Sequence, residues 1–420
     1  MNKKIVKLFL STTFFELILT AIEFALGVFI IRMFSIEQYA SYAIVLSLIG
    51  VVNKISESGL SNSLFSNGAL LWDDKKKFSV VFMSALKIKT RYTSLLLFVL
   101  VPYGIWILHK NNFESKEILF LLLSVVPSVL SNLISSLQTV PLRLSGDIKY
   151  LQTTNIKFSL VRVLLIGMCL YFFPNIALII FLNGIILLVK NLIFRKHLNK
   201  TYSCYQEKAN KKEINLLKRD FLKILPQAVF GAFNREIIIV IVSIFGTATM
   251  IGQVSGLRKA SRIFKVLTKV YGKAILPIFA KKRFKNKKAL GHSFFMIQFS
   301  RIIIGATIFG LLMLFSEQIL WILGGEFSMF SDEFFYALLG VMIGFFSQND
   351  FNLSRGYIPN FYLLICLKLI LFSIILYLIP PISVINILIF GVFKSIITFF
   401  ITNATFIYFN YIKIDSISQA

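Results

Sequence analysis

Apolar stretches long enough to cross a membrane recur from one end of this 420-residue chain to the other, and this decides its fold class. A helix needs ~20 mostly apolar residues to span hydrocarbon. Apolar residues make up 57% of the chain and 44 positions are Phe, a level a soluble domain of this size does not sustain. The pattern predicts an all-α polytopic membrane protein of about twelve transmembrane helices. They fall near 9–31, 40–62, 92–108, 118–138, 157–173, 176–194, 222–245, 250–277, 295–315, 333–352, 360–379 and 383–408. Pro102, Pro127 and Pro226 lie inside spans, where neighbouring helices re-satisfy the freed backbone groups. Met1–Lys7 leads directly into the first span, with no small-residue cleavage site in view.

The net charge of +26 would suggest nucleic acid in a soluble protein. Its placement points to a membrane instead. The even-numbered connections and the termini collect the basic residues, among them Lys3, Lys4, Lys7, Lys75–Lys77, Lys87, Lys89 and Arg91. Arg195–Arg219, Lys281–Lys288, Arg355 and Lys413 continue the series, whereas the odd connections hold only Arg32, Lys110 and Lys116. The loop at 316–333 is acidic. By the positive-inside rule both termini are cytoplasmic, with lipid bilayer rather than nucleic acid as the surrounding partner. The same parity argues that 250–277 crosses. If it lay on the surface as a basic amphipathic helix, every later loop would break the rule.

The longest hydrophilic segment, 195–221, reads as a basic, solvated cytoplasmic linker with some helix between two six-helix lobes, 1–194 and 222–420. An even number of spans per half makes the halves parallel repeats. A weak internal match aligns Ala40 with Gly252, an offset of 212 that pairs Glu23 with Arg235.

Arg258, Arg262, Lys265 and Lys269 fall within an arc of about 60° on a helix, and Lys273 extends the row. Each cation at the bilayer centre costs roughly 2.5–3.5 kcal/mol, so the row should line a watery cavity and hold an anion. Arg offers phosphate a planar fork of donors and Lys a compact charge. Other intramembrane polar residues are Glu16, Thr20 and Glu23 on one face of span one, Lys54 and Glu57 in span two, and Arg235 with Glu236 in span seven. Arg235 joins the cationic substrate-binding set. Glu16, Glu23, Lys54, Glu57 and Glu236 are candidates for coupling or gating. Plainer readings stand beside these. Lys269 and Lys273 lie close enough to the span end to snorkel. Arg235 and Glu236 suit a structural ion pair, and Glu23 suits neutralising Arg235. Glu57, Arg301, Lys368 and Lys394, near span ends or isolated, suit interfacial anchoring.

The sequence has no Walker-type glycine loop. His109, His197 and His292 are far apart and offer neither triad nor zinc site, and Cys169, Cys204 and Cys366 are scattered. No cofactor or metal is expected, and no enzyme activity. Gly324-Gly325-Glu326 reads as a turn.

These residues resemble the Wzx-type lipid-linked oligosaccharide flippases of the MOP (MATE-like) superfamily. Arg32-Met-Phe-Ser-Ile-Glu-Gln-Tyr-Ala-Ser-Tyr42 is similar to that family's Arg, turn, Glu, Gly and Tyr run, with Ala40 where Gly is usual. Glu57-Ser-Gly-Leu60, Leu225-Pro226, Ile251-Gly252, Leu276-Pro277 and Gly324-Gly-Glu-Phe327 match further positions, over about 8–410. The resemblance implies a V-shaped two-lobe bundle working by alternating access. It implies an undecaprenyl-diphosphate-linked oligosaccharide as substrate, flipped from the cytoplasmic to the periplasmic leaflet for O-antigen or other surface polysaccharide. A polysaccharide polymerase and chain-length machinery would be the partners. The alternatives are a MATE-like multidrug or ion antiporter and a membrane polysaccharide polymerase or ligase. The first would want an acidic cavity, and the second a large outer catalytic loop.

Overall fold

The computed structural model describes the backbone of residues 3–261, 264, 267–268, 287–347 and 361–408, and their side chains apart from 3–13, 16, 260, 287–288 and 361. The described residues are helical and contain no strand. Contacts divide the chain into two compact units, Met33–Gly252 and Met1–Arg32 with Gln253–Ala420. This is a division by packing, with bounds other than those of the lobes 1–194 and 222–420 expected from the sequence.

The unit Met33–Gly252 is built from α2 (Ile36–Glu57), α3 (Leu60–Leu70), α4 (Lys75–Lys110), α5 (Ser115–Leu144), α6 (Ile148–Phe172), α7 (Ile176–Tyr202), α8 (Lys211–Phe245) and the start of α9 (Ala248–Ala260). The other unit holds α1 (Lys3–Met33) up to Arg32, the rest of α9, α10 (Lys287–Leu314), α11 (Ser316–Leu323), α12 (Ser331–Phe346), α13 (Phe361–Leu378) and α14 (Val384–Ile407). Among the described residues eight helices, counting α2 and α3 as one span, are long and apolar enough to cross a membrane. They coincide with the second to seventh, ninth and twelfth expected spans. Helices α1, α12 and α13 lie on the first, tenth and eleventh. The eighth begins as α9 and then leaves the described residues. The protein is a multi-pass membrane protein.

Local sequence sets where the helices start. Ser35 and Gln38 form a reciprocal capping box at the head of α2. The side chains of Asp74, Asn175, Asn210 and Ser383 each accept from a first-turn amide of α4, α7, α8 and α14. Pro102, Pro127 and Pro226 sit inside α4, α5 and α8 as expected, joined by Pro141 in α5. Span two is broken: Ser58 and Gly59 take φ of 24° and 75° between α2 and α3. A Cβ on Gly59 would also lie 2.6 Å from the Ile224 Cδ1 on α8, so space and backbone both demand glycine.

Packing within Met33–Gly252 is tightest between α5 and α7. There a Cβ on Gly184 would come 2.5 Å from the Ser128 amide nitrogen, a close approach of the kind that joins membrane helices. The core at the basic-rich end of this unit gathers Leu64, Phe78, Phe82, Leu137, Phe194 and Phe221. Edge-to-face rings reinforce it, at 4.9 Å between Trp72 and Phe78 and 5.0 Å between Phe82 and Tyr205. In the other unit α12 packs along α14, and Phe294 of α10 stacks on Phe406 of α14.

The segment 195–221 carries the helix expected of it, but it is packed where the sequence suggested solvent. Helix α7 runs on to Tyr202, and the connection is stitched to α4: Ser79 Oγ donates to the Cys204 carbonyl, and Ser79 and Ser84 accept from the amides of Glu207 and Asn210. Cys204 and Leu217 are fully buried. Charge density suggested solvent, but the apolar residues between the charges fall on one packed face. Burial pushes the Cys204 thiol up to about 12, and the Tyr205 phenol likewise to about 12.

Candidate functional site

Helix α4 carries residues 78, 81, 82, 85, 88 and 89 on one buried face, at the i, i+3, i+4, i+7 spacing of a helix. Lys89 ends that face and is 2% exposed. Its Nζ lies 2.9 Å from Glu57 Oε2, donates to the Asn132 carbonyl at 3.0 Å, and donates to Ser136 Oγ at 2.5 Å. Ser136 in turn donates to Glu57 Oε2. The Ser61 amide, in the first turn of α3, donates to Glu57 Oε1 at 3.2 Å. The break at Ser58–Gly59 is what frees that amide, because the first amides of a new helix have no partner within it. Glu57 thus joins α2, α3, α4 and α5.

This corrects two expectations. Glu57 is not an isolated interfacial anchor but the half-buried partner in an ion pair whose lysine is buried. Lys89 is not in a loop: hydropathy reads Lys87–Arg91 as a connection, but α4 begins at Lys75. Lys87 and Arg91 are exposed while Lys89 turns inward. Lys54, expected to share a face with Glu57, is exposed.

On α8, Arg235 is exposed and Glu236 half-buried. The Glu236 carboxylate lies 3.6 Å from where a Cβ on Gly50 would be, so it faces α2. Nearby, Thr249 Oγ1 donates to Glu37 Oε1 at 3.1 Å, joining two positions 212 apart, the offset of the internal match.

In the unit Met1–Arg32 with Gln253–Ala420, Arg258 is half-buried and Lys259 is 7% exposed. The Lys259 ammonium lies 3.1 Å from where a Cβ on Gly27 of α1 would stand. Glu23, exposed, is one helical turn before Gly27. Lys259, which the sequence reading passed over, therefore sits at the contact of α9 with α1. Arg262, Lys265, Lys269 and the side chain of Glu16 lie outside the described residues, as do Lys273 and Arg355.

Arg301, expected to anchor at an interface, is 1% exposed, with its guanidinium 5.8 Å over the Phe345 ring. Its position mid-way along α10, in a run of Ile and Gly that packs on α12, puts it inside. Arg32 Nε and Nη2 donate to the carbonyls of Ile322 and Trp321 at 2.8 and 2.6 Å, capping the C-terminus of α11. Lys110 does the same for the Ile244 carbonyl on α8. Two of the three cations on the sparsely charged side thus complete helix ends. Gly324–Phe327 is a turn as read, closing into a 3-10 helix at Gly325–Phe327. Among the described residues no group of His, Cys, Asp and Glu is placed to hold a metal ion.

No family model matches the chain, and no curated protein matches it. Its fold does match solved structures. An outward-facing multidrug resistance MATE family transporter of the MOP superfamily aligns with TM-score 0.67 and 12% identity, over 100% of this chain and 97% of that one. A MATE structure in complex with MaD5 aligns with TM-score 0.64 and 12% identity, over 99% and 96%. A MATE complex with MaL6 gives TM-score 0.61 and 13% identity over 95% of both chains. The fold is that of the MATE transporters, over the whole chain.

Proposed function

We propose that this transporter-fold protein flips a lipid-linked oligosaccharide, carried on undecaprenyl diphosphate, from the cytoplasmic to the periplasmic leaflet by alternating access. The reading places the protein in the bacterial inner membrane with both termini cytoplasmic and with six-helix lobes 1–194 and 222–420. A surface-polysaccharide polymerase and chain-length machinery follow it. The observation that supports it is Arg258, half-buried in an apolar helical unit at the head of the basic stripe. A basic stripe on a helix that crosses the membrane suits an anionic substrate. A diphosphate with its forked oxygens suits Arg235, Arg258, Arg262, Lys265 and Lys269. The Glu57–Lys89 pair carries its own counter-charge. Glu16, Glu23 and Glu236 are left as the carboxylates for coupling, with Lys54 beside the break in span two for gating.

A second reading, export of drugs in exchange for ions, is favoured by the MATE structures that share this fold. Cationic drugs want carboxylates where this chain places Arg and Lys. The deciding experiment replaces Arg258, and separately Arg262, by Ala in the native host. Surface polysaccharide should be lost while the protein stays in the membrane at normal abundance. Unchanged polysaccharide, or changed drug resistance alone, overturns the flippase reading.

A further inference from the structure

Three oxygens converge on the Lys89 ammonium: the Glu57 carboxylate, the Ser136 hydroxyl and the Asn132 backbone carbonyl, at 2.9, 2.5 and 3.0 Å. A charged carboxylate, a neutral hydroxyl and a backbone carbonyl are a hard-oxygen set, the kind that binds alkali and alkaline-earth cations. The set sits at a break in a membrane helix, the setting in which transporters hold small cations. What occupies this seat is a lysine side chain 3% exposed. We propose that Glu57, Asn132 and Ser136 form a monovalent-cation site whose cation, the Lys89 ammonium, is built into the chain.

The inference holds whichever substrate is moved. It requires only that the oxygens are preorganised, and they are: Glu57 Oε1 is held by the Ser61 amide and Oε2 by Ser136, independently of Lys89. A tethered ligand competes at a high effective concentration, so a dissolved ion does not displace it. Glu57 therefore does not exchange sodium during a cycle. Remove the ammonium and the oxygens remain, with one uncompensated, half-buried charge that a free ion would satisfy.

The test uses full-length protein in detergent, with thermal unfolding followed in NaCl, KCl or choline chloride at constant ionic strength. Wild type should unfold at the same temperature in all three. Lys89→Ala should be the least stable in choline and should gain roughly 2–4 °C in the small cation it accepts. Glu57→Gln combined with Lys89→Ala should lose that response. The proposal is overturned if Lys89→Ala responds to no cation, or if the double variant responds equally. Should Lys89→Ala fail to accumulate, the comparison of wild type with Glu57→Gln decides. Sodium stabilisation of wild type that Glu57→Gln abolishes would overturn the proposal, and its absence supports a seat already filled.

Discussion

The span Ile36–Leu70 and the span Ile148–Phe172 are similarly apolar, yet 61% of the first one's most apolar stretch is buried against 17% of the second's. The difference lies in side-chain size. Helix α2 offers Ala40, Ser41, Ala43, Ser47, Gly50 and Ser56, and packs against α4, α5 and α8. Helix α6 offers Leu160, Leu164, Met168 and Phe172 outward, and packs chiefly on α7. Within a bilayer, lipid tails are as apolar as leucine, so association rewards small residues that let backbones approach. Apolarity decides that a helix crosses; residue size decides whether it sits inside. Charge follows the same division: α2 ends on the enclosed Glu57, whereas Lys157 on α6 is exposed.

The sharpest way to break this contrast is to neutralise the enclosed charge. Glu57→Gln leaves Lys89 buried without its counter-charge and should cost about 3–5 kcal/mol, measured by thermal unfolding in detergent. Lys157→Ala on α6 should change stability by under ~0.5 kcal/mol. Equal losses would mean that α2 is no more interior than α6. A smaller effect comes from size alone. Ala40 is fully buried, so Ala40→Leu should cost about 1–3 kcal/mol by overpacking. Leu164→Ala, at a residue 65% exposed, should be near neutral. The smallest effect leaves stability untouched and reads burial directly. With its thiol pushed up to about 12, Cys204 carries almost no thiolate at neutral pH and should resist alkylation until the protein is unfolded. The same thiol in denatured protein is the internal comparison, and equal labelling of Cys204 before and after unfolding would contradict the packed 203–210 connection.

Much of the fold was legible because apolar length and helix caps are local. Ser35, Asn175 and Ser383 announce helix starts, and the proline positions fell inside spans as read. The enclosed ion pair was harder to see. Lys89 stands two residues from Lys87 and Arg91, and a window average cannot separate three cations that point in different directions. The periodic face Phe78, Phe82, Ala85, Lys89 would have separated them. At 36 residues, α4 is about 54 Å long, well beyond a ~30 Å hydrocarbon core, so its first turns had room for charge without ending the helix. Lys259 escaped for the opposite reason. The stripe drew attention to one face of its helix, while its own burial depends on Gly27, more than two hundred residues earlier. Long-range contacts of this kind leave no local trace.

Arg32 shows what such separation means during synthesis. Its hydrogen-bond partners, Trp321 and Ile322, lie about 290 positions later in the chain. As the nascent polypeptide emerges, the first helix reaches the bilayer with its terminal guanidinium unsatisfied by protein and left to water and headgroups. Only after most of the remaining helices have been inserted does the docking carbonyl pair exist. A helix made long before its partners is among the last to be fastened.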